Sequence, residues 1–183
     1  AMWLGQTIQE WLDNDAIWVI GANLRQEQPL LTARLRQAAK KGTVVSVLAA
    51  QTETLYMPVH VQSVQHPAAW IAQLQAVLAA LSAGSAADDE ASRIAQSLKQ
   101  GEKASVVLGA EAQNHPQFAE IYALAQQIAD ASGARLGILP QAANSVGADV
   151  VGFKPQRSGS HAQQMLQQPK KAVLLLNVEP DQD

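Results

Sequence analysis

Lys103–Gly152 reads KASVVLGAEAQNHPQFAEIYALAQQIADASGARLGILPQAANSVGADVVG. Ala104–Leu108 is a short, largely β-branched run closed by Gly109, the pattern of a strand covered on both faces. Pro116 then falls in the first turn of a helix, and Phe118, Ile121, Tyr122, Leu124, Ala125, Ile128 and Ala129 recur at three- and four-residue spacing as one wide apolar stripe. Gly133 stands where a left-handed C-terminal cap belongs, and a second apolar run ends at Pro140. Strand, loop, helix and strand in that order make a βαβ unit with a buried parallel pair.

The unit has a counterpart. Ala16–Leu48 runs AIWVIGAN, a proline, an amphipathic helix, Gly42 and TVVSVL; aligning Val19-Ile20-Gly21-Ala22 with Val107-Leu108-Gly109-Ala110 brings Pro29 within one residue of Pro116. Two such copies predict an α/β fold, a three-layer, doubly wound, mostly parallel sheet built from two βαβ repeats with a helical insert. The expected organisation is a single α/β domain over 1–183, itself a fragment of a larger subunit. Its parts are a first repeat (1–50), an extended segment and helical insert (51–102), a second repeat (103–155), and a short helix with a final strand (156–183).

Composition narrows the chemistry. A chain of 183 residues can bury most of its apolar surface without disulfides or metals. It contains no cysteine, which excludes a Cys-ligated zinc, an iron–sulfur centre or a thiol nucleophile from this stretch. The formal net charge of −3, with no basic block, gives nucleic acid or an anionic membrane no electrostatic hold. No apolar run approaches the roughly 20 residues of a spanning helix, so no direct membrane insertion is expected. Nothing at the N-terminus reads as a signal peptide, and Ala1 ahead of Met2 has the look of a tag remnant.

In chain order, Leu4, Ile8, Trp11 and Leu12 predict a lead-in amphipathic helix over Trp3–Asp13, and Gly21–Pro29 a polar loop at the carboxyl end of the first strand. Leu30–Lys41 is a helix whose basic last turn suits its dipole. Leu55–Val61 looks extended, with Pro58 arguing against a central strand. Trp70, Ile71, Leu74, Val77, Leu78 and Leu81 form one helical stripe after Pro67; Glu90–Gln100 forms another, packing Ile94 and Leu98, and together they return the chain to the sheet. A short helix is expected around His161–Gln167 and a final strand over Ala172–Val178.

Open α/β sheets bind ligands outside the carboxyl ends of their strands, beside helix N-termini. Gly21, Asn23 and Arg25 in the first Gly-Ala loop, with Asn114 and His115 in the second, are candidates there. Neither loop carries G-x-G-x-x-G or G-x-x-x-x-G-K-[ST]. His66 and His115 precede prolines at helix starts, a cap position; Asp88, Asp89 and Glu90 suit capping and solvation. Ser145, His161 and Asp149 lack the G-x-S-x-G elbow of a hydrolase. No catalytic residue and no metal ligand is assigned. Ala142–Ala148, small and polar after a strand end, reads as a loop in which Asn144 satisfies backbone groups and Gly147 permits close approach.

The pair Gly21-Ala22-Asn23-Leu24-Arg25…Pro29…Ala33-Arg34-Leu35-Arg36 and Leu139-Pro140…Ala142-Ala143-Asn144-Ser145-Val146-Gly147-Ala148…Gly152…Pro155 resembles the molybdopterin-oxidoreductase-like region of the large peripheral-arm subunit of bacterial NADH-quinone oxidoreductase, respiratory complex I. Leu176–Pro180 is similar to the strand and loop that follow in that family. The resemblance implies a non-catalytic scaffold that has lost its pterin and packs against other peripheral-arm subunits on the cytoplasmic side of the inner membrane. The parent complex, an NADH dehydrogenase of the respiratory chain, would pass electrons from NADH to quinone through iron–sulfur clusters. Those clusters would be held in a cysteine-rich N-terminal part, with no cofactor in this fragment. Gly21, Asn23, Arg25, Asn144, Ser145 and Gly147 match positions where pterin-binding relatives hold a guanine dinucleotide; Leu24 replaces a proline common there. The alternative is half of a pterin guanine dinucleotide site of a molybdenum or tungsten oxidoreductase.

Overall fold

The computed structural model describes residues 3–83, 88–155, 158–176 and 178. Five strands, β1 (Ala16–Ile20), β2 (Val44–Ala49), β3 (Val61–Val64), β4 (Ala104–Leu108) and β5 (Arg135–Ile138), form one sheet in the order β3-β2-β1-β4-β5. Every pairing is parallel. The chain winds outward from β1 through β2 to β3, crosses back, and winds outward again from β4 to β5, so the direction reverses between β1 and β4. This is a Rossmann-like, three-layer α/β fold.

Alternation along the strands assigns the layers. Ala16, Trp18 and Ile20 of β1, with Val106 and Leu108 of β4, face one core, shared with Trp70, Leu74 and Val77 of α4 (Trp70–Ala83), Ile94 and Leu98 of α5 (Glu90–Gln100), and Ile121 and Ile128 of α7 (Phe118–Ser132). Ile17 and Val19, with Val45, Val47 and Val107, face the other, against Trp11 of α1 (Ile8–Leu12) and Leu35 of α3 (Pro29–Lys41). α3 and α7 lie on opposite faces because their crossovers run toward opposite edges, and right-handed connections then demand it.

Local signals set the helix ends. Asp89 caps α5 by accepting the Ser92 N–H at 2.8 Å, and Gly133 ends α7 in the left-handed conformation with φ 77°. The lead-in helix is shorter than its apolar spacing suggests. Gly5 takes φ 77°, and Trp3 instead runs beside β5, its carbonyl accepting the Ile138 N–H at 2.8 Å; Ile8 is left exposed. The extended segment after β2 becomes a strand only from Val61, past Pro58, as the sheet edge. Ser145–Val150 is a short helix (α8) where the sequence reads as a loop, while Asn144 ahead of it takes φ 59°.

The chain divides into two compact units, Ala1–Val146 and Gly147–Asp183. In the second, the expected short helix is present as α9 (Ala162–Gln167), with a capping box between His161 and Gln164. The expected strand over Ala172–Val178 is not formed among the described residues: 172–176 have no ladder partner, and Leu174 and Leu176 are 93% and 85% exposed. An apolar run becomes a strand only where a sheet edge receives its backbone groups.

Candidate functional site

A crevice of about 400 Å³ opens at the carboxyl ends of β1 and β2, lined by Asn23, Arg25, Gln26, Gln51–Thr54 and Glu111 among others. Of the two Gly-Ala turns, the first contributes Ala22 to its lining. Gly21 holds φ 61°, and a Cβ there would stand 2.6 Å from the Ala112 nitrogen and 2.7 Å from the Trp70 ring. Both requirements exclude a side chain. The turns are joined by hydrogen bonds from Gly109 N to Ile20 O (2.8 Å) and from Ala112 N to Gly21 O (3.2 Å).

Asn23 and Arg25 reach this crevice as the sequence indicates, but both are engaged within the protein. Asn23 caps the four-residue helix α2 (Leu24–Glu27) by accepting the Gln26 N–H at 3.4 Å. Arg25 Nη1 donates to Thr54 O at 3.0 Å, and its guanidinium lies 4.7 Å from the Tyr56 ring centroid. Asn144 and Ser145 do not line the crevice. Both are exposed, and Ser145 Oγ donates to Ala142 O at 3.1 Å. Gly147, at the start of the second unit, accepts the Val151 N–H at 3.0 Å through its carbonyl.

Two glutamates, Glu53 and Glu111, line the crevice, and a third, Glu27, ties together the loops after β1 and β4. Glu53 accepts the backbone N–H groups of Leu24 at 3.2 Å and Arg25 at 2.7 Å. Glu27 accepts those of Asn23 at 2.9 Å and Ala110 at 3.4 Å. Glu111 has its carboxyl raised above the usual range, first by burial and then by the charges of Glu27 and Glu53, against a lowering hydrogen bond from the Ala50 backbone. Two of the three carry a local hint, Glu27 four residues after Asn23 and Glu111 directly after a Gly-Ala turn. Glu53 comes from a separate loop and has none.

His66 acts as a cap, its Nδ1 accepting the Ala68 N–H at 3.2 Å, whereas His115 does not cap α7, whose N-cap is Gln117; its Nδ1 accepts the Gln117 N–H at 3.0 Å in the turn ahead of the helix. His115 also stacks on Trp70, ring centroids 5.9 Å apart. Among the described residues, no group of three or more His, Asp or Glu is placed to hold a metal ion, and no helix is long and apolar enough to cross a membrane.

The chain that builds this doubly wound sheet, with its crevice at the carboxyl ends of β1 and β2, matches a family model along its full length. The molybdopterin oxidoreductase model covers residues 1–183, and the chain belongs to the molybdopterin oxidoreductase family. Among solved structures it is similar to a chain of the formyltransferase/hydrolase complex (FhcABCD) from Methylorubrum extorquens, crystallised in complex with methylofuran. The TM-score is 0.59 at 14% identity, over 83% of this chain and 44% of that one. This likeness is one of fold, and the chain spans less than half the length of that relative. No curated protein matches the chain.

The backbone N–H groups of residues 23, 24, 25 and 110, which an anion would use, already serve Glu27 and Glu53. A third carboxylate faces the same space, and the chain has no cysteine to ligate molybdenum.

Proposed function

We propose that this chain is a non-catalytic scaffold domain of the molybdopterin oxidoreductase family, of the kind found in the large peripheral-arm subunit of NADH-quinone oxidoreductase. In this reading the parent complex passes electrons from NADH to quinone through iron–sulfur clusters held elsewhere. The chain itself contributes packing surface to neighbouring peripheral-arm subunits on the cytoplasmic side of the membrane. Its main support is the Glu53 carboxylate seated on the Leu24 and Arg25 amides, where a dinucleotide phosphate would otherwise be held.

The rival reading, half of a pterin guanine dinucleotide site, draws support from Asn23 and Arg25 sharing one crevice at the carboxyl ends of the strands. Thermal unfolding with and without millimolar guanosine diphosphate separates the two. The scaffold reading expects no change in midpoint. A ligand at about 100 times its Kd adds about 2.7 kcal/mol, or roughly 5–11 °C in a domain of this size. A rise of that order, abolished by Arg25→Ala, would put the cofactor site first.

A further inference from the structure

Apart from the strand-end crevice, a groove of about 790 Å³ runs between α1, the first turns of α3 and the Leu139-Pro140 segment after β5. Small-molecule sites occupy roughly 300–1,000 Å³. Leu4, Leu31 and Leu139 line it from the core on the α3 side of the sheet, and Trp3, Ile8 and Leu30 stand exposed around them. The wall beside β5 is fixed, because Gly137 lets the Leu4 carbonyl lie against the strand where any Cβ would collide.

Two polar side chains on this lining hold unmet donors. Gln6 is 4% exposed, and its Nε2 is buried without a hydrogen-bond partner. An amide donor withdrawn from water and left unpaired costs free energy, so its place on the groove points to an acceptor that arrives with a ligand. Arg34 is exposed on α3 and has no ion-pair or hydrogen-bond partner among the described residues. Thr7 and Gln28, by contrast, are engaged by Glu10 and by Pro140 O. No carboxylate lines the groove among the described residues, in contrast to the crevice. Apolar walls, one unpaired cation and one buried donor together complement a molecule with an apolar body and an anionic, hydrogen-bond-accepting head.

We propose that this groove binds an amphipathic carboxylate, its hydrocarbon chain on Leu4, Leu31 and Leu139 and its head on the unmet donors of Gln6 and Arg34. The site is separate from the crevice, so the guanosine diphosphate response that tests the scaffold reading does not bear on it. Dodecanoate below its micellar range is the probe, titrated calorimetrically into the full chain beside octanoate, decanoate and dodecanol. One molecule is expected to bind per chain, with affinity rising about fourfold per added methylene. Arg34→Gln should weaken dodecanoate about fivefold and leave dodecanol unchanged. Leu30 is 83% exposed, so Leu30→Glu should keep the unfolding midpoint while lowering dodecanoate affinity more than tenfold. Trp3 lines the groove while Trp11, Trp18 and Trp70 are fully buried, so binding should shift the tryptophan emission, and Trp3→Phe should remove that shift but not the binding. Absence of saturable binding, an affinity flat with chain length, dodecanol binding as tightly as dodecanoate, or an unaltered Leu30→Glu would each overturn the proposal. A chain that sediments as a dimer and is made monomeric by Leu30→Glu would also overturn it, since a second copy would then occupy the groove.

Discussion

Gly109 lies against Ala22 so closely that any Cβ at position 109 would collide with the Ala22 Cβ and the Gly21 carbonyl. The two repeats thus meet through their turns, with no room for a side chain between them. Gly109→Ala is expected to destabilise the fold by about 1–3 kcal/mol, as overpacking of a tight interior does. Urea unfolding should show a lower midpoint; an unchanged one would mean that the turns can separate.

Glu53 is the anchor of the first loop. Glu53→Ala leaves the partly buried Leu24 N–H and the exposed Arg25 N–H without their acceptor, at a cost of about 1–3 kcal/mol. Glu53→Gln keeps one acceptor oxygen and should recover part of that loss. Chemical denaturation of the pair measures the difference, and equal stabilities would remove the carboxylate from any structural role.

At the other end of the sheet, Thr7 and Glu10 form the capping box of α1. Thr7→Ala should cost about 0.5–2 kcal/mol. The Thr7 backbone and side-chain hydrogen bonds hold the Glu10 carboxyl below its usual value of 4.5. A carboxyl lowered on folding contributes stability above its unfolded value and loses it as pH falls through the folded one. In Thr7→Ala the Glu10 titration should therefore move upward, a shift that NMR reads directly.

Leu98 is fully buried between α5 and the sheet. Leu98→Ala should cost about 2–5 kcal/mol by opening a cavity, with no change in the Glu111 titration if the crevice and this core are independent. Calorimetry and NMR on the same variant check both parts.

Where neighbours in sequence decide the structure, the sequence is readable. Ala104–Leu108, Gly133, the Asp89 cap and the α7 stripe, except for its exposed Tyr122, appear as expected, because strand burial, helix phase and end caps are written within a few residues. Val61–Val64 and Ala172–Leu176 show the opposite: whether an apolar run pairs depends on an edge supplied from elsewhere in the chain. The same holds for the crevice. Asn23 and Arg25 are legible from their loop, whereas Glu53 meets them only because parallel pairing brings the ends of β1 and β2 side by side.

The register of β1 sets an order of events for folding. Ala16 pairs with Val44 on one side and with Ala104 on the other. The first partner lies one crossover away in the chain, while the second follows β3 and the α4–α5 insert. As the chain leaves the ribosome, β1 to β3 can assemble while the central strand still presents a bare row of amides and carbonyls on its far edge. Until β4 emerges, that edge is open to any strand that meets it, so slow synthesis between residues 65 and 104 is the interval in which this protein is most exposed to mispairing and aggregation.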